Sequence, residues 1–576
     1  MTSHRSDLLA GAALLILIVF LQAQAISRQS WTMDEPFHLL AGDQLWREGV
    51  NVLNWEHPPL VKMIAALPLS GLGSPFVGVV TVDQGLAESQ RLFADPALSR
   101  RLRIASRAAV ALVVVPALLL GCFALGRILG GTPAGLVLAG IAGCWFALVA
   151  HLPLLQTDGA VTAAFALVVW ASIALVKSPT LARGAALGVL CGLAFAAKFS
   201  ALLLAPTVLL ALLLAPGTGK MKTARIALVA GVALTVVWSV YALTNRRYSP
   251  ELGRQTVLAY CEGRSNLVVD ERLRQHCASL LALQARSPIA AQIATGLLGI
   301  HAQNEIGIFP SVAFGEISSQ GKWWYFPAVL ALKTSLVLVV TALVALRQLL
   351  RRRDRPTPAP SSSQLWLLVV LPVATYLGSA MASSYNVGAR HLLPILPLLV
   401  APLAVWVSRT RLRRNAVLAA LALESLLLCP HWMGATNLWW LGERAPFRQA
   451  LVTGDVEYEQ GLVVLAEQAR RRGWSSLGIL LPGLTDLEAG SYDFPAHALD
   501  PGDPLPPGWY AVSVLAEVGL PAVERATEGG LHDLAGHRRL AAGLRPALDC
   551  LLAAPGPGER VASFRIVRLK GGCGEH

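Results

Sequence analysis

The sequence predicts an all-α polytopic membrane protein of about eleven transmembrane helices, followed by a small α/β domain outside the cytoplasm. Of the 576 residues, 54% are hydrophobic and 14% are charged, whereas soluble domains have about 25% charged residues. Apolar segments of bilayer length recur through residues 1–434. Residues 435–576 are less apolar, with strand-like runs near 478–481, 509–514 and 563–567. The chain therefore divides into these two predicted domains.

The first apolar segment runs from Leu8 to Ile26 and contains Ala23-Gln24-Ala25, which resembles a signal-peptidase site. A retained helix is favoured and a cleaved signal stays open; both interpretations place Trp31 outside. Because Lys198 alone separates two short apolar segments, a tight hairpin is expected there. Ten further spans are predicted at 104–126, 132–150, 159–176, 184–197, 199–215, 226–244, 325–346, 365–382, 392–408 and 416–434.

Lys and Arg residues are concentrated in alternate loops, near 177–183, 220–225, 347–355 and 409–414. Cytoplasmic loops of membrane proteins carry such an excess. The N-terminus is therefore predicted to be cytoplasmic, and the C-terminal domain and the long loops 27–103 and 245–324 to lie outside, as in a bacterial inner (plasma) membrane protein. The net charge of +13 then reflects orientation in the membrane, and no nucleic acid partner is expected.

Two pairs of cysteines lie in regions predicted to be outside the cytoplasm. Cys261 and Cys277 share an outer loop, and Cys550 and Cys573 share the C-terminal domain. An oxidising compartment would permit disulfides in both regions, but the spacing leaves free thiols open.

The stretch from Trp31 to Lys62 follows the first span and is rich in groups that carry chemistry. Asp34 and His38 are four residues apart, so they share a face if the stretch is helical. A carboxylate beside an imidazole suits acid–base work or metal binding. Glu35 has a second interpretation, because Thr32-Met33-Asp34-Glu35 has the pattern of a capping box.

Other polar residues are expected at the same outer boundary. Asp158 begins a span there, where it can cap the helix or join Asp34 as a base or metal ligand. Each cation at this boundary, taken alone, is typical of a residue that anchors a helix at the membrane interface. If the cations converge on one face, they can bind the phosphate of a lipid-linked donor. These cations are Lys62, Lys198 and Arg390.

Several motifs, in order along residues 30–460, resemble those of the GT-C glycosyltransferases that use a polyprenyl-phosphate sugar. The resemblance is closest to the family of protein O-mannosyltransferases and the lipid A aminoarabinose transferase. The motifs are Asp34-Glu35, the His-Pro-Pro-Leu run from His57 to Lys62, Thr157-Asp158, Gly321 to Pro327 continuing to Thr334, and Gly388 to Pro394. The run around Asp455 departs from the Asp-Trp-Gly-Gln-like signature of many bacterial relatives.

The resemblance implies a GT-C fold and an inverting sugar transfer from a polyprenyl-phosphate donor to a protein, lipid or glycan hydroxyl outside the cytoplasm. Asp34 is then the expected general base, with Glu35 or Asp158 as its support. Lys62, Lys198 and Arg390 are the expected ligands of the leaving phosphate. His38, His57 and His391 are further candidates for binding substrate. A divalent metal ion, with Asp34 and Asp158 as its candidate ligands, stays open.

Two other functions are compatible with a polytopic membrane protein. A transporter or flippase for a lipid-linked substrate would spread polar residues through the depth of the membrane, whereas the candidate residues here collect at one face. A non-catalytic membrane scaffold would tolerate the loss of Asp34.

Overall fold

The computed structural model describes residues 2–78, 80–82, 84–262, 274–307, 311–351, 363–439, 458–525, 534–554 and 559–573. A large helical part is followed by a small domain built on a mixed sheet. The predicted fold class is confirmed. The divergent run around Asp455 lies outside the described residues, and the predicted boundary between residues 434 and 435 stays a prediction.

Apolar helical segments follow one another in the order and places that the sequence predicts. Some are single helices, and others are pairs separated by a short break. They are Thr2–Arg28, Pro96–Gly130, Thr132–Cys144, Thr157–Lys177, Leu181–Ala197, Phe199–Leu204 with Ala205–Leu214, Gly219–Thr244, Tyr325–Lys333 with Leu336–Arg351, Ser363–Met381, Ala389–Ile395 with Leu396–Val407, and Arg411–Leu427.

Only part of this series is long enough to cross a bilayer. Six stretches of the described chain qualify by length and apolarity: Gly11–Arg28, Pro96–Gly130, Thr157–Lys177, Gly219–Thr244, Ser363–Met381 and Ala389–Val407. A seventh results if Tyr325–Lys333 and Leu336–Arg351, bent by 95°, form one span. The predicted number of about eleven is reached only if the shorter helices also cross.

The 35-residue helix Pro96–Gly130 begins at a well-defined cap. The carboxylate of Asp95 accepts hydrogen bonds from two backbone N–H groups of the first turn, at 2.9 and 3.0 Å. Pro96 occupies the first helical position, where its missing N–H is not needed. This helix packs against Thr132–Cys144 and Thr157–Lys177 and carries the buried Arg107 toward the first outer loop.

The loop 27–103, predicted to lie outside the cytoplasm and called the first outer loop on that prediction, folds into short helices: Glu35–Arg47, Pro59–Ala66, Leu69–Leu72, Gly85–Ser89 and Gln90–Phe93. The first two cross closely at Gly42. A Cβ on Gly42 would lie 2.8 Å from the Cβ of Ala66 and would overlap the carbonyl oxygen of Lys62. The absent side chain therefore sets the distance between the helix that follows Asp34 and the helix that follows His57.

The second outer loop contains the helices Pro250–Cys261, Cys277–Arg286 and Pro288–Ile306, and an antiparallel hairpin of strands β1 (Ser311–Ala313) and β2 (Glu316–Ser318). A disulfide joins Cys261 to Cys277. In β1, Val312 packs with Val514 and Ala522 of the C-terminal domain, so the hairpin connects the two parts of the molecule.

The C-terminal domain has a five-stranded sheet of β3 (Leu477–Leu480), β4 (Ala496–Ala498), β5 (Gly508–Ser513), β6 (Arg560–Val561) and β7 (Phe564–Leu569) in the order β4-β3-β5-β7-β6. Strands β3, β4 and β5 are parallel, and β7 is antiparallel to β5 and β6. Its helices are Leu462–Arg471, Asp486–Gly490, Leu515–Gly519, Leu520–Arg525 and Leu534–Ala553. A second disulfide joins Cys550 to Cys573.

Candidate active site

A cavity of about 1140 Å³ lies where the membrane helices meet the loops 27–103 and 245–324 and the C-terminal domain. Its walls include all the predicted site residues except Glu35 and Lys62. The predicted residues that line it are Asp34, His38, His57, Asp158, Lys198, Arg390 and His391. The cavity therefore brings together residues from three separate regions of the sequence.

Asp34 immediately precedes the helix Glu35–Arg47. Its Oδ2 accepts a hydrogen bond from Arg390 Nη1 at 2.7 Å and another from the hydroxyl of Tyr458. The side chain keeps 36% exposure, directed to the cavity that it lines. Burial alone would raise the pKa of Asp34, but Arg390, His38 and Tyr458 together outweigh burial and lower it to about 2. Asp34 is therefore ionised at neutral pH.

Asp158 and Lys198 form a second ion pair, with Oδ1 and Nζ 2.5 Å apart. Asp158 lies in the first turn of Thr157–Lys177, and Lys198 occupies the break between Leu181–Ala197 and Phe199–Leu204. The break lets the lysine leave the helix and reach the carboxylate. Both side chains are mostly buried and line the cavity.

His38 and His57 are neighbours in the cavity wall, with ring centroids 5.0 Å apart. His38 Nδ1 lies 2.7 Å from the carbonyl oxygen of Leu155, which can only accept, so this nitrogen carries the proton. Burial lowers the pKa of both imidazoles below the ordinary value. Both are therefore neutral at pH 7, and His38 keeps Nε2 as an acceptor.

Glu35 lies behind the cavity and not in its wall. Its carboxylate pairs with Arg107 at 2.5 Å and accepts hydrogen bonds from the backbone N–H of Thr32 at 2.9 Å and of Leu155 at 3.1 Å. Although burial raises the pKa of Glu35, Arg107 and the two backbone hydrogen bonds together outweigh burial, and the net shift is downward. Only the hydrogen bond from the Thr32 N–H belongs to the predicted capping box, because the helix begins at Glu35 itself and has no side-chain cap. The contacts tie three chain segments together, so the position of Glu35 does not support direct catalysis.

Lys62 is fully buried and does not line the cavity. Its Nζ donates to the carbonyl oxygens of Asn54 at 2.9 Å and Leu53 at 3.4 Å. Burial lowers its pKa to about 7. The structure therefore does not bring Lys62 together with Lys198 and Arg390, and phosphate binding by these two cations stays a prediction.

Two residues in the cavity wall were missed by sequence reasoning. Glu56 precedes His57, and burial raises the pKa of its carboxyl to about 7 against the lowering effect of Lys62. Its place in the His-Pro-Pro motif could have identified it. Tyr458 comes from the C-terminal side of the chain and contacts both Asp34 and Arg390. No sequence pattern around Tyr458 indicates this contact.

The donors in the cavity do not fit a metal site. Within the described ranges, no group of three or more His, Cys, Asp and Glu side chains is arranged to hold a metal ion. The two candidate carboxylates, Asp34 and Asp158, are each paired with a cation. The residues of the cavity therefore do not fit the divalent metal ion that the sequence left open.

Residues 96–243 match the family model described as dolichyl-phosphate-mannose-protein mannosyltransferase. This region contains Asp158 and Lys198. No curated protein sequence matches the chain. The match confirms the resemblance that the motifs predict, and with it the prediction of a glycosyltransferase enzyme.

Solved structures resemble the chain over most of its length at low identity. The oligosaccharyltransferase AglB from Archaeoglobus fulgidus, in complex with an inhibitory peptide and a dolichol-phosphate, is 11% identical, with a TM-score of 0.39 over 91% of this chain and 72% of the other. ArnT from Cupriavidus metallidurans in the apo state is 12% identical, with a TM-score of 0.35 over 90% and 95%. ArnT bound to undecaprenyl phosphate is 12% identical, with a TM-score of 0.31 over 96% and 97%. At these scores the similarities carry no argument, and the family match to residues 96–243 is the comparison that supports the glycosyltransferase prediction.

Proposed function

We propose that this protein transfers a sugar from a polyprenyl-phosphate donor to a hydroxyl group of an extracytoplasmic protein, lipid or glycan, with inversion at the anomeric carbon. One observation carries the proposal: the ion pairs Asp34–Arg390 and Asp158–Lys198 share a cavity that also reaches apolar side chains of the membrane helices. Leu202, Leu203 and Tyr376 belong to that apolar wall. A lipid chain can lie there while its phosphate reaches Lys198 and Arg390.

In this mechanism the acceptor oxygen attacks the anomeric carbon as the bond from that carbon to the phosphate oxygen breaks. Asp34 takes the hydroxyl proton, and the lipid phosphate leaves with the bonding electron pair. Lys198 and Arg390 stabilise the negative charge that grows on the phosphate. Since Arg390 also pairs with Asp34, its movement toward the phosphate would raise the pKa of Asp34 and make it a stronger base.

A transporter or flippase is less consistent with the placement of charge. Lys333 and Glu424 are charged residues inside predicted spans, and neither lines the cavity. Lys333 donates to the carbonyl oxygen of Met433 at 2.7 Å, and Glu424 accepts from the backbone N–H of Leu336 at 3.0 Å. These contacts hold helices together and do not continue the cavity through the membrane.

The test is to incubate the purified protein with a panel of undecaprenyl-phosphate sugars and candidate acceptors, and to identify products by mass spectrometry. We expect the wild type to transfer one of these sugars. Asp34→Asn keeps the shape of the side chain and removes its basicity, so transfer should slow by at least about a hundredfold while donor binding persists.

Asp43→Asn is the matched control, because Asp43 lies in the helix that Asp34 precedes but pairs with Arg47 and does not line the cavity. Failure of the wild type with every donor would contradict the proposed function. Near-normal turnover by a well-folded Asp34→Asn protein would remove only Asp34 from the role of base, with Asp158 as the next candidate.

A further inference from the structure

We infer that Tyr458 is a positioning residue for Asp34, so that the C-terminal side of the chain completes the catalytic site. This inference rests on the proposed role of Asp34 as the general base. The hydroxyl of Tyr458 donates to Asp34 Oδ2 and accepts from Arg390 Nη1 at 2.5 Å. The guanidinium carbon of Arg390 lies 4.7 Å from the centre of the tyrosine ring.

The two donors meet the same oxygen of the carboxylate. Arg390 Nη1 and the Tyr458 hydroxyl both reach Oδ2 of Asp34, and no described residue donates to Oδ1. Because the side chain is 36% exposed and lines the cavity, Oδ1 is the oxygen available to an acceptor hydroxyl. Fixing Oδ2 restricts rotation of the carboxylate and keeps Oδ1 in one place, which is what a general base needs.

The stretch that contains Tyr458 is held in position by hydrogen bonds to Ser30, which lies in the stretch of chain that leads to Asp34. Ser30 donates its backbone N–H to the carbonyl oxygen of Gln460 at 3.0 Å and its hydroxyl to that of Glu459 at 2.5 Å. The same hydroxyl accepts from the backbone N–H of Leu462 at 2.9 Å. The stretch 458–462 is therefore hydrogen-bonded to Ser30, four residues before Asp34, and these bonds do not involve the Tyr458 side chain.

Arg390 donates hydrogen bonds to Asp34 and Tyr458 through Nη1 alone, and in the proposed mechanism it moves from Asp34 toward the donor phosphate. When a donor phosphate takes its hydrogen bonds, Asp34 Oδ2 keeps only Tyr458. The tyrosine then holds the carboxylate in place during the step in which its basicity matters. If Tyr458 had only a structural role, loss of its hydroxyl would have the same effect with aspartate or with asparagine at position 34.

The experiment is a double-mutant cycle with Tyr458→Phe, Asp34→Asn and the double variant. Phenylalanine keeps the ring beneath Arg390 and removes only the hydroxyl. Tyr492→Phe is the control, because Tyr492 also belongs to the C-terminal domain and its buried hydroxyl has no partner among the described residues. Transfer is measured against pH with the undecaprenyl-phosphate sugar that the wild type uses, and folding is checked by thermal unfolding.

We expect Tyr458→Phe to lower kcat about tenfold, the effect of losing a hydrogen bond to a charged group, with a smaller change in the donor KM. The acidic limb of its plot of transfer rate against pH should move to higher pH, since the hydroxyl helps to lower the pKa of Asp34. In the Asp34→Asn background the substitution should add little, and Tyr492→Phe should behave as the wild type.

Equal effects of Tyr458→Phe in both backgrounds, or an unchanged pH profile, would overturn the inference while leaving the transfer activity intact. A wild type that transfers no sugar from any donor would instead refute the proposed function, and the role of Tyr458 with it. The two failures are therefore distinguishable.

Discussion

Carboxylates that are adjacent or nearly adjacent in the sequence have different environments in the fold. Asp34 faces the cavity, whereas Glu35 points the other way and neutralises the buried Arg107. Removing one partner of such a buried pair leaves an uncompensated charge and is strongly destabilising. Loss of activity on substitution of Glu35 therefore reports first on folding, and only Asp34 reports on chemistry.

Glu56 provides a test through the pH dependence of stability. Burial raises its pKa from the ordinary 4.5 to about 7, so the folded protein holds this proton more tightly than the unfolded chain. The contribution of protonated Glu56 to the free energy of unfolding is complete below about pH 4.5 and is lost as the pH rises through about 7. We expect this loss in the wild type and not in Glu56→Gln, as measured by thermal unfolding in detergent between these pH values.

Glu251→Gln is the control for Glu56, since Glu251 is exposed in the second outer loop. The stability of Glu251→Gln should depend on pH as that of the wild type does. If the melting temperature of Glu56→Gln falls with pH as steeply as that of the wild type, the Glu56 carboxyl is not held in its protonated form by burial.

At the scale of elements, the close crossing at Gly42 positions one wall of the cavity. Ala at this position would overlap the carbonyl oxygen of Lys62 and displace the helix Pro59–Ala66, which follows His57. Overpacking of this kind destabilises by about 1–3 kcal/mol. We expect Gly42→Ala to lower both the melting temperature and the rate of transfer.

Gly71→Ala is the matched substitution in the same outer loop, where an added Cβ meets nothing within 4 Å. It should leave both measurements close to those of the wild type. Similar behaviour of the two variants would contradict the argument that the crossing at Gly42 sets the position of the helix.

The sequence indicated the apolar segments and the order of the motifs because both depend on local composition. It did not indicate where Lys62 points, because its ammonium group binds backbone carbonyls whose position depends on the folded outer loop. Nor did it indicate Tyr458, since this tyrosine meets Asp34 across 424 residues of sequence. Contacts of that separation leave no periodic pattern in either segment.

The helix lengths show a similar limit. Hydropathy located the segments on both sides of Lys198, but it could not tell that the break there serves to form an ion pair with Asp158. The same holds for the 95° bend between Tyr325–Lys333 and Leu336–Arg351. Apolar length alone does not locate the breaks at which helices are interrupted to carry polar residues.

For the whole molecule, we propose that the C-terminal domain lies outside the cytoplasm and the N-terminus inside. The alternating basic loops support this orientation. Alkaline phosphatase fused after His576 should be active, and a reporter that works only in the cytoplasm should be inactive at the same position. The same reporters fused near Lys220, in a basic loop, should give the reverse pattern. Activity of the cytoplasmic reporter alone after His576 would reject the topology.

The two ion pairs in the cavity also bear on how the enzyme finishes a cycle. Asp34 with Arg390 and Asp158 with Lys198 are nearly balanced in charge before a donor arrives. A polyprenyl-phosphate sugar is a phosphodiester with one negative charge, whereas the released lipid is a phosphate monoester with a charge of about −1.5 to −2 at neutral pH. On the proposed assignment, Lys198 and Arg390 hold the spent lipid more tightly than the fresh one. Departure of the lipid carrier is then slower than departure of an unreacted donor, and accumulated carrier should act as a competitive inhibitor.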